Sequence, residues 1–214
     1  MPGSLLIVSA PSGGGKTSLT RALVRQAAAA GQSVRISVSY TTRQARPGEQ
    51  DGVHYHFVSD AEFERMAQAD AFLEHARVFG RRYGTGRSVT ESLLASGTDV
   101  LLDIDWQGAQ QIRAAMPDAI GVFILPPSLP ELERRLRDRA QDDAQTIAAR
   151  MQQARAETAH WHEYDYLIVN RDFDQALSEL NAILTAAGRR RTLQQQSHKA
   201  LLAELTDAVL DGAG

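Results

Sequence analysis

One short stretch near the start constrains the chain more than any other. Leu5-Leu6-Ile7-Val8-Ser9 is a short apolar run, Ala10 to Gly15 is a Pro/Gly cluster, and Lys16 to Ala30 follows a helical pattern stopped by Gly31. An apolar run of this length bounded by turn residues is a buried strand, so the order is strand, glycine loop, helix. Three consecutive glycines, Gly13 to Gly15, permit backbone angles closed to other residues and leave no side chain between the N–H groups and an anion. The helix that begins at Lys16 aims its positive end at the same place.

The loop Ala10-Pro11-Ser12-Gly13-Gly14-Gly15-Lys16-Thr17 matches the Walker A pattern except that its first position is Ala10 instead of glycine. A methyl group there requires the backbone to stay at negative φ. Lys16 offers a mobile charge to the outer phosphates of a nucleotide, and the Thr17 hydroxyl is placed for Mg²⁺. Further along, Val100 to Ile104, Ile120 to Leu125 and Tyr166 to Val169 are apolar runs, each followed by a helical pattern. Strands apolar on both faces that alternate with helices predict an α/β fold with a parallel sheet flanked by helices. Asp103 and Asp105, two apart at the end of the second such strand, are expected to share one face at the carboxyl edge of that sheet.

Residues 34–97 break this rhythm. Val34 to Tyr40, His54 to Val58 and Phe72 to Phe79 read as strands, with Asp60 to Ala69 as the clear helix, which predicts an inserted small mixed sheet. Residues 1–33 and 98–188 then form the core, 128–158 an Arg-rich region within it, and 189–214 one amphipathic C-terminal helix with Leu193, Leu201, Leu202, Leu205, Val209 and Leu210 on its apolar stripe. That stripe is expected to pack on the domain or on a second copy of the chain.

Composition excludes other classes. With no cysteine, disulfide frameworks, thiolate metal sites and cysteine catalysis are ruled out. A net charge of −3 argues against a protein that works by neutralising nucleic-acid phosphates, and Leu5 to Val8 is too short for a signal core or a membrane span. The expected location is the cytoplasm. His54 with His56 and His160 with His162 come without a third ligand at metal spacing and are read as surface or packing residues.

Between Ser39 and Tyr55 lie two arginines, several hydroxyls and a phenol, a set suited to a second phosphate group carried by an acceptor. From Leu5 to about Leu184 the chain resembles guanylate kinases in four motifs: the Ser9-to-Lys16 loop, Thr41-Thr42-Arg43-x-x-Arg46-x-Gly48-Glu49, Tyr83-Gly84-Thr85, and Leu102-Asp103-Ile104-Asp105-Trp106-Gln107-Gly108. The resemblance implies a P-loop kinase that transfers the γ-phosphoryl of ATP to GMP with Mg²⁺, with 34–97 as a GMP-binding insertion and 128–158 as a helical lid. It assigns GMP to Ser39, Arg43, Arg46, Tyr55, Glu74, Tyr83, Thr85, Asp103 and Asp105, and ATP to Ser12, Gly13, Gly14, Gly15, Lys16, Thr17, Ser18, Arg135 and Asn170. Catalysis falls to Lys16, Arg43, Arg139 and Arg150, and the metal to Thr17 and Asp103. Guanine carries N1–H and N2–H side by side, which the Glu74 carboxylate can accept together.

Two departures from the family pattern stand out. Arg137-Asp138-Arg139-Ala140 replaces an Arg-Gly-Arg-Gly hinge, and Asn170-Arg171-Asp172 replaces Asn-Asp-Asp. The competing reading is a guanylate-kinase-like interaction module that has lost turnover; it has no need for Lys16, Thr17, Arg139 and Arg150, all of which this chain retains.

Overall fold

A computed structural model describes residues 2–78, 80–139 and 144–211. A five-stranded parallel sheet forms its centre, in the order β2 (Val34–Ile36), β7 (Asp99–Asp103), β1 (Leu5–Ser9), β8 (Ile120–Leu125) and β9 (Tyr166–Val169). The period of two along β1 sends Leu6 and Val8 to one face and Leu5 and Ile7 to the other, and all four are buried. On the first face they pack with Leu19 and Leu23 of α1 (Lys16–Ala29) and Leu180 and Leu184 of α7 (Phe173–Ala187). On the second they meet Leu94 of α3 (Arg87–Ala95) and Ala109 and Ile112 of α4 (Trp106–Ala115). Each fully buried Leu or Ile contributes roughly 1.5–3 kcal/mol, so both layers are needed to hold the sheet.

A second sheet stands apart, in the order β4 (His56–Phe57), β3 (Tyr40–Thr41), β6 (Arg81–Gly86) and β5 (Phe72–Val78). It is mixed, as expected: β3 pairs parallel with β4 and antiparallel with β6. Helix α2 (Asp60–Gln68), capped by the Ser59 side chain on the Glu62 N–H, precedes β5 and buries Phe63 against Phe72.

Three readings of the chain need correction. The run expected as one strand from Val34 to Tyr40 is two: β2 joins the large parallel sheet beside β7, and β3 joins the small one. Residues 87–95, expected to continue the insertion, form α3, whose Leu94 packs under the large sheet. The tail is also broken, into α8 (Arg191–Ser197) and α9 (Lys199–Asp211) with His198 between them. Leu201, Leu202 and Leu205 remain 42–58% exposed, whereas Leu193 of the same stripe is half-buried.

The Arg-rich region is a helical pair, α5 (Leu129–Arg139) and α6 (Ala144–Thr158), joined through a small cluster of Leu132, Leu136, Met151 and Ala154. A 3₁₀ turn, Ala159–Glu163, returns the chain to β9.

Candidate active site

The phosphate loop connects β1 to α1 at the carboxyl edge of the large sheet, where open α/β folds bind ligands. Gly13 and Gly15 have φ of 88° and 97°, in the left-handed region that a side chain rarely enters. Among the described residues Asp70 is the non-glycine with positive φ, so Ala10 meets the condition its methyl group imposes. That methyl lies where a Cβ on Gly14 would meet it at 2.9 Å. Ser18, in the first turn of α1, is exposed beside the loop.

Behind the loop, Lys16 Nζ pairs with Asp103 Oδ1 at 2.8 Å and donates to the Ile104 carbonyl at 3.0 Å. The Thr17 hydroxyl donates to Asp103 Oδ2 at 2.9 Å. Asp103, the last residue of β7, therefore gathers both groups that the loop offers to a nucleotide. Strand β7 ends there, and Asp105 follows in an extended conformation, φ −84° and ψ 179°. It caps α4, its carboxylate accepting the Gly108 N–H at 3.0 Å. An Asp after a strand and before a helix is a strong N-cap.

Asn170, after β9, is 5% exposed, and its amide donates to the Gly14 carbonyl at 3.0 Å. It supports the loop from beneath, and it also lines a cavity with Gly13, Gly15, Ser18, Arg135, Asp138, Arg171 and Phe173. Arg135 enters that cavity from α5, tied by Glu131 at 2.8 Å and donating to the Asn170 carbonyl at 3.1 Å. Arg150 lies on α6, partly buried. Arg139 closes α5, and its side chain lies outside the described residues, as do residues 140–143 with Ala140 of the expected hinge.

Across a cleft lined by Thr17, Arg21, Ser39, Tyr55 and Asp103 stands the small sheet. Arg43 forms a bidentate pair with Glu49, Nη1 to Oε2 at 2.9 Å and Nη2 to Oε1 at 2.8 Å, and lies over the Tyr55 ring at 5.2 Å. Hydrogen bonding to Arg43 lowers the Glu49 carboxyl to about 2, so the pair is ionised at neutral pH. Glu49 also accepts the Arg46 backbone N–H at 2.7 Å, an ordering role that reasoning from phosphate chemistry missed although Glu49 sits in the quoted motif. Tyr55 and Tyr83 meet edge-on at 5.9 Å. Burial, then the nearby Asp103 charge, pushes the Tyr55 phenol up, and Tyr55 lines the same cleft as Thr17 of the phosphate loop.

Glu74 is the least expected group in its setting: a carboxylate 4% exposed. A bulge in β5 between Phe72 and Glu74 leaves Leu73 over for the core cluster under the large sheet and sets Glu74 opposite Thr85, whose hydroxyl donates to Oε1 at 2.6 Å. Burial raises its pKa to about 7, with Asp105 adding to the rise and the Thr85 bond opposing it. Gly108 of α4 makes the room, since a Cβ there would stand 2.6 Å from Glu74 Oε2. The histidines set aside above have local partners: His56 stacks on Tyr40, the His54 ring accepts the Gln50 N–H, and His160 stacks on Trp106.

Thr17 and Asp103 are hard oxygen donors 2.9 Å apart. That fits Mg²⁺, which takes one or two protein ligands and completes its shell with phosphates and water.

A phosphate loop on a parallel sheet, a facing small sheet with a buried carboxylate, and a helical pair over the loop define a P-loop nucleoside monophosphate kinase. The guanylate kinase family model matches residues 3–187. The chain is 57% identical over 203 residues to the guanylate kinase of Escherichia coli K12, covering 95% of this chain and 97% of that one, and equally to that of Salmonella choleraesuis. The crystal structure of guanylate kinase from Anaplasma phagocytophilum superposes with a TM-score of 0.73 at 34% identity, over 89% of this chain and 88% of that one. This chain belongs to the guanylate kinase family.

Proposed function

We propose the following division of labour for the transfer of the γ-phosphoryl of ATP to GMP, giving ADP and GDP. The loop N–H groups of residues 12–17 and Lys16 hold the donor phosphates, and Lys16 stabilises the charge that develops on the phosphoryl in flight. Asn170 and Arg135 border the space for the donor's base, with Arg139 and Arg150 supplied by the lid. Arg43, Arg46, Tyr55 and Tyr83 receive the acceptor's phosphate, Glu74, Ser39 and Thr85 lie near its base, and Asp103 and Asp105 complete the acceptor site. Mg²⁺, held through Thr17 and Asp103, supplies charge neutralisation on the donor phosphates. The place of work that fits this chemistry is the cytoplasm, with neither nucleic acid nor membrane as partner; among the described residues no helix is long and apolar enough to cross a membrane.

One observation carries this reading: Lys16 and Thr17 of the phosphate loop are gathered on Asp103 at the end of β7, and the Lys16 charge reaches Glu74, a buried carboxylate of the small sheet with a raised pKa. Structural carboxylates are rarely buried without a cationic partner, and among the described residues Glu74 takes its hydrogen bonds from the Thr85 hydroxyl and backbone N–H.

ADP release with GMP or AMP as acceptor tests it. Lys16→Ala should cost several powers of ten in kcat, and more than a tenth of wild-type activity would remove the loop from the reaction. Arg43→Ala and Arg46→Ala should each raise the KM for GMP roughly 10- to 150-fold while leaving that for ATP near its wild-type value. Equal effects on both substrates would move these residues out of the acceptor site.

A further inference from the structure

The helical pair grips the phosphate loop at two consecutive residues. Leu132 and Leu136 of α5 press on Gly13 so closely that a Cβ there would stand 2.9 Å from Leu132 Cδ1 and 3.1 Å from Leu136 Cδ2. Next to it, the Ser12 backbone N–H donates to Glu157 Oε2 at 2.9 Å. Glu157 stands in the last turn of α6, and its other oxygen takes the Gln153 side-chain amide at 2.9 Å. One turn earlier Ala154 is fully buried against Leu132 and Leu136, so the helix is seated on the loop by packing as well as by the hydrogen bond.

The far side of this junction is also fixed. The His160 ring, three residues on, lies flat on Trp106 with centroids 3.7 Å apart and planes 7° apart, while its Nδ1 pairs with Glu163 Oε1 at 2.6 Å. Trp106 opens α4 directly after Asp105. The Glu157 carboxylate is thus anchored to the core through groups outside the phosphate loop and outside the acceptor sheet.

Loop N–H groups act on phosphates only when they point in the right direction, and a carboxylate on a packed helix sets that direction for Ser12 before any nucleotide binds. Arg150 lies seven residues before Glu157, about two turns, so the two share one face of α6. Fixing one sets the rotation of the other.

We propose that Glu157 is a positioning residue for phosphoryl transfer: its bond to the Ser12 N–H locks the phosphate loop to α6 and sets loop geometry and the Arg150 face together. The proposal rests on reading residues 10–17 as the donor-phosphate site. Burial pushes the Glu157 carboxyl above its usual range, against the pull of the Ser12 N–H and the Lys16 charge, which marks it as a group held in place instead of a solvated surface acid.

The test compares the full-length wild type with Glu157→Gln, which keeps an oxygen acceptor at the same length, and Glu157→Met, which keeps the length and loses the acceptor. Wild-type ADP release with GMP is measured first, and its failure would sink the donor-site reading itself. Given wild-type turnover, Glu157→Met should lose about 10- to 100-fold in kcat with the KM for GMP within about twofold, and Glu157→Gln should stay within about threefold of wild type. A Met variant with wild-type kcat, a Gln variant as impaired as Met, or a KM for GMP that rises in step with the loss would each overturn the proposal. A second readout needs no destabilised variant: the Ser12 amide resonance should move in Glu157→Gln well beyond amides elsewhere, and an unmoved Ser12 signal would also overturn it.

Discussion

Glu74 shows at the scale of one residue how burial becomes a functional variable. Its pKa of about 7 lies above the ordinary carboxylate value of 4.5, so between those two values the folded chain holds more protons than the unfolded one. Stability from this group is fully present below about pH 4.5 and is lost as pH rises toward 7. Guanine's two donors need the ionised carboxylate, so GMP recruitment runs the opposite way: kcat/KM for GMP should rise as pH increases from about 6 to about 8, by up to tenfold per unit below the pKa. Glu74→Gln should flatten both dependences and lower kcat/KM for GMP roughly 10- to 1,000-fold while narrowing the preference over AMP. Thermal midpoints and pH–rate profiles on the two proteins check this, and a wild-type profile without a pH-dependent limb in GMP would contradict it.

Among elements, the contact between α4 and β5 decides whether the base-reading end exists. Asp105 caps α4, Trp106 and Gln107 start it, and Gly108 gives Glu74 Oε2 its space. Gly108→Ala should improve the helix's intrinsic propensity and still damage the site, because the methyl group would stand 2.6 Å from Oε2 and 3.0 Å from Cδ. Propensity favours Ala by about 1 kcal/mol, whereas displacing a packed buried side chain costs typically 1–3 kcal/mol. The expected outcome is a KM for GMP raised on the order of tenfold or more, with the KM for ATP unchanged. A Gly108→Ala enzyme with wild-type GMP kinetics would show that Glu74 does not depend on this contact.

For the whole molecule, two cavities adjoin the phosphate loop, one lined by Thr17, Ser39, Tyr55 and Asp103 and the other by Gly13, Gly15, Arg135 and Asn170. The Arg43–Tyr55–Tyr83 group stands at the first, and α5 brings Arg135 to the second. Water must be kept from the γ-phosphoryl during transfer, so the small sheet and the lid should close over the loop when both substrates are bound. Small-angle scattering with GMP and a non-hydrolysable ATP analogue should show a smaller radius of gyration than with either alone. An unchanged radius at saturation would mean that the site is already formed.

What the chain determined by itself was its local chemistry. The Leu5–Ser9 run with three glycines, Lys16 and Thr17 specifies strand, loop and helix through contacts close in sequence, and the fold follows it within a residue or two. The four motifs likewise made the family legible. Tertiary structure decided the matters that depend on distant partners. Val34–Ile36 is too short to reveal which sheet it joins, and its place beside β7 follows from pairing 65 residues away, Val34 with Asp99. The bulge that sets Glu74 against Thr85 and the raised pKa that results exist only once burial is complete. Glu157 carries no motif at all. Its bond to Ser12 joins residues 145 apart, and only the packing of α5 and α6 on the phosphate loop brings them together.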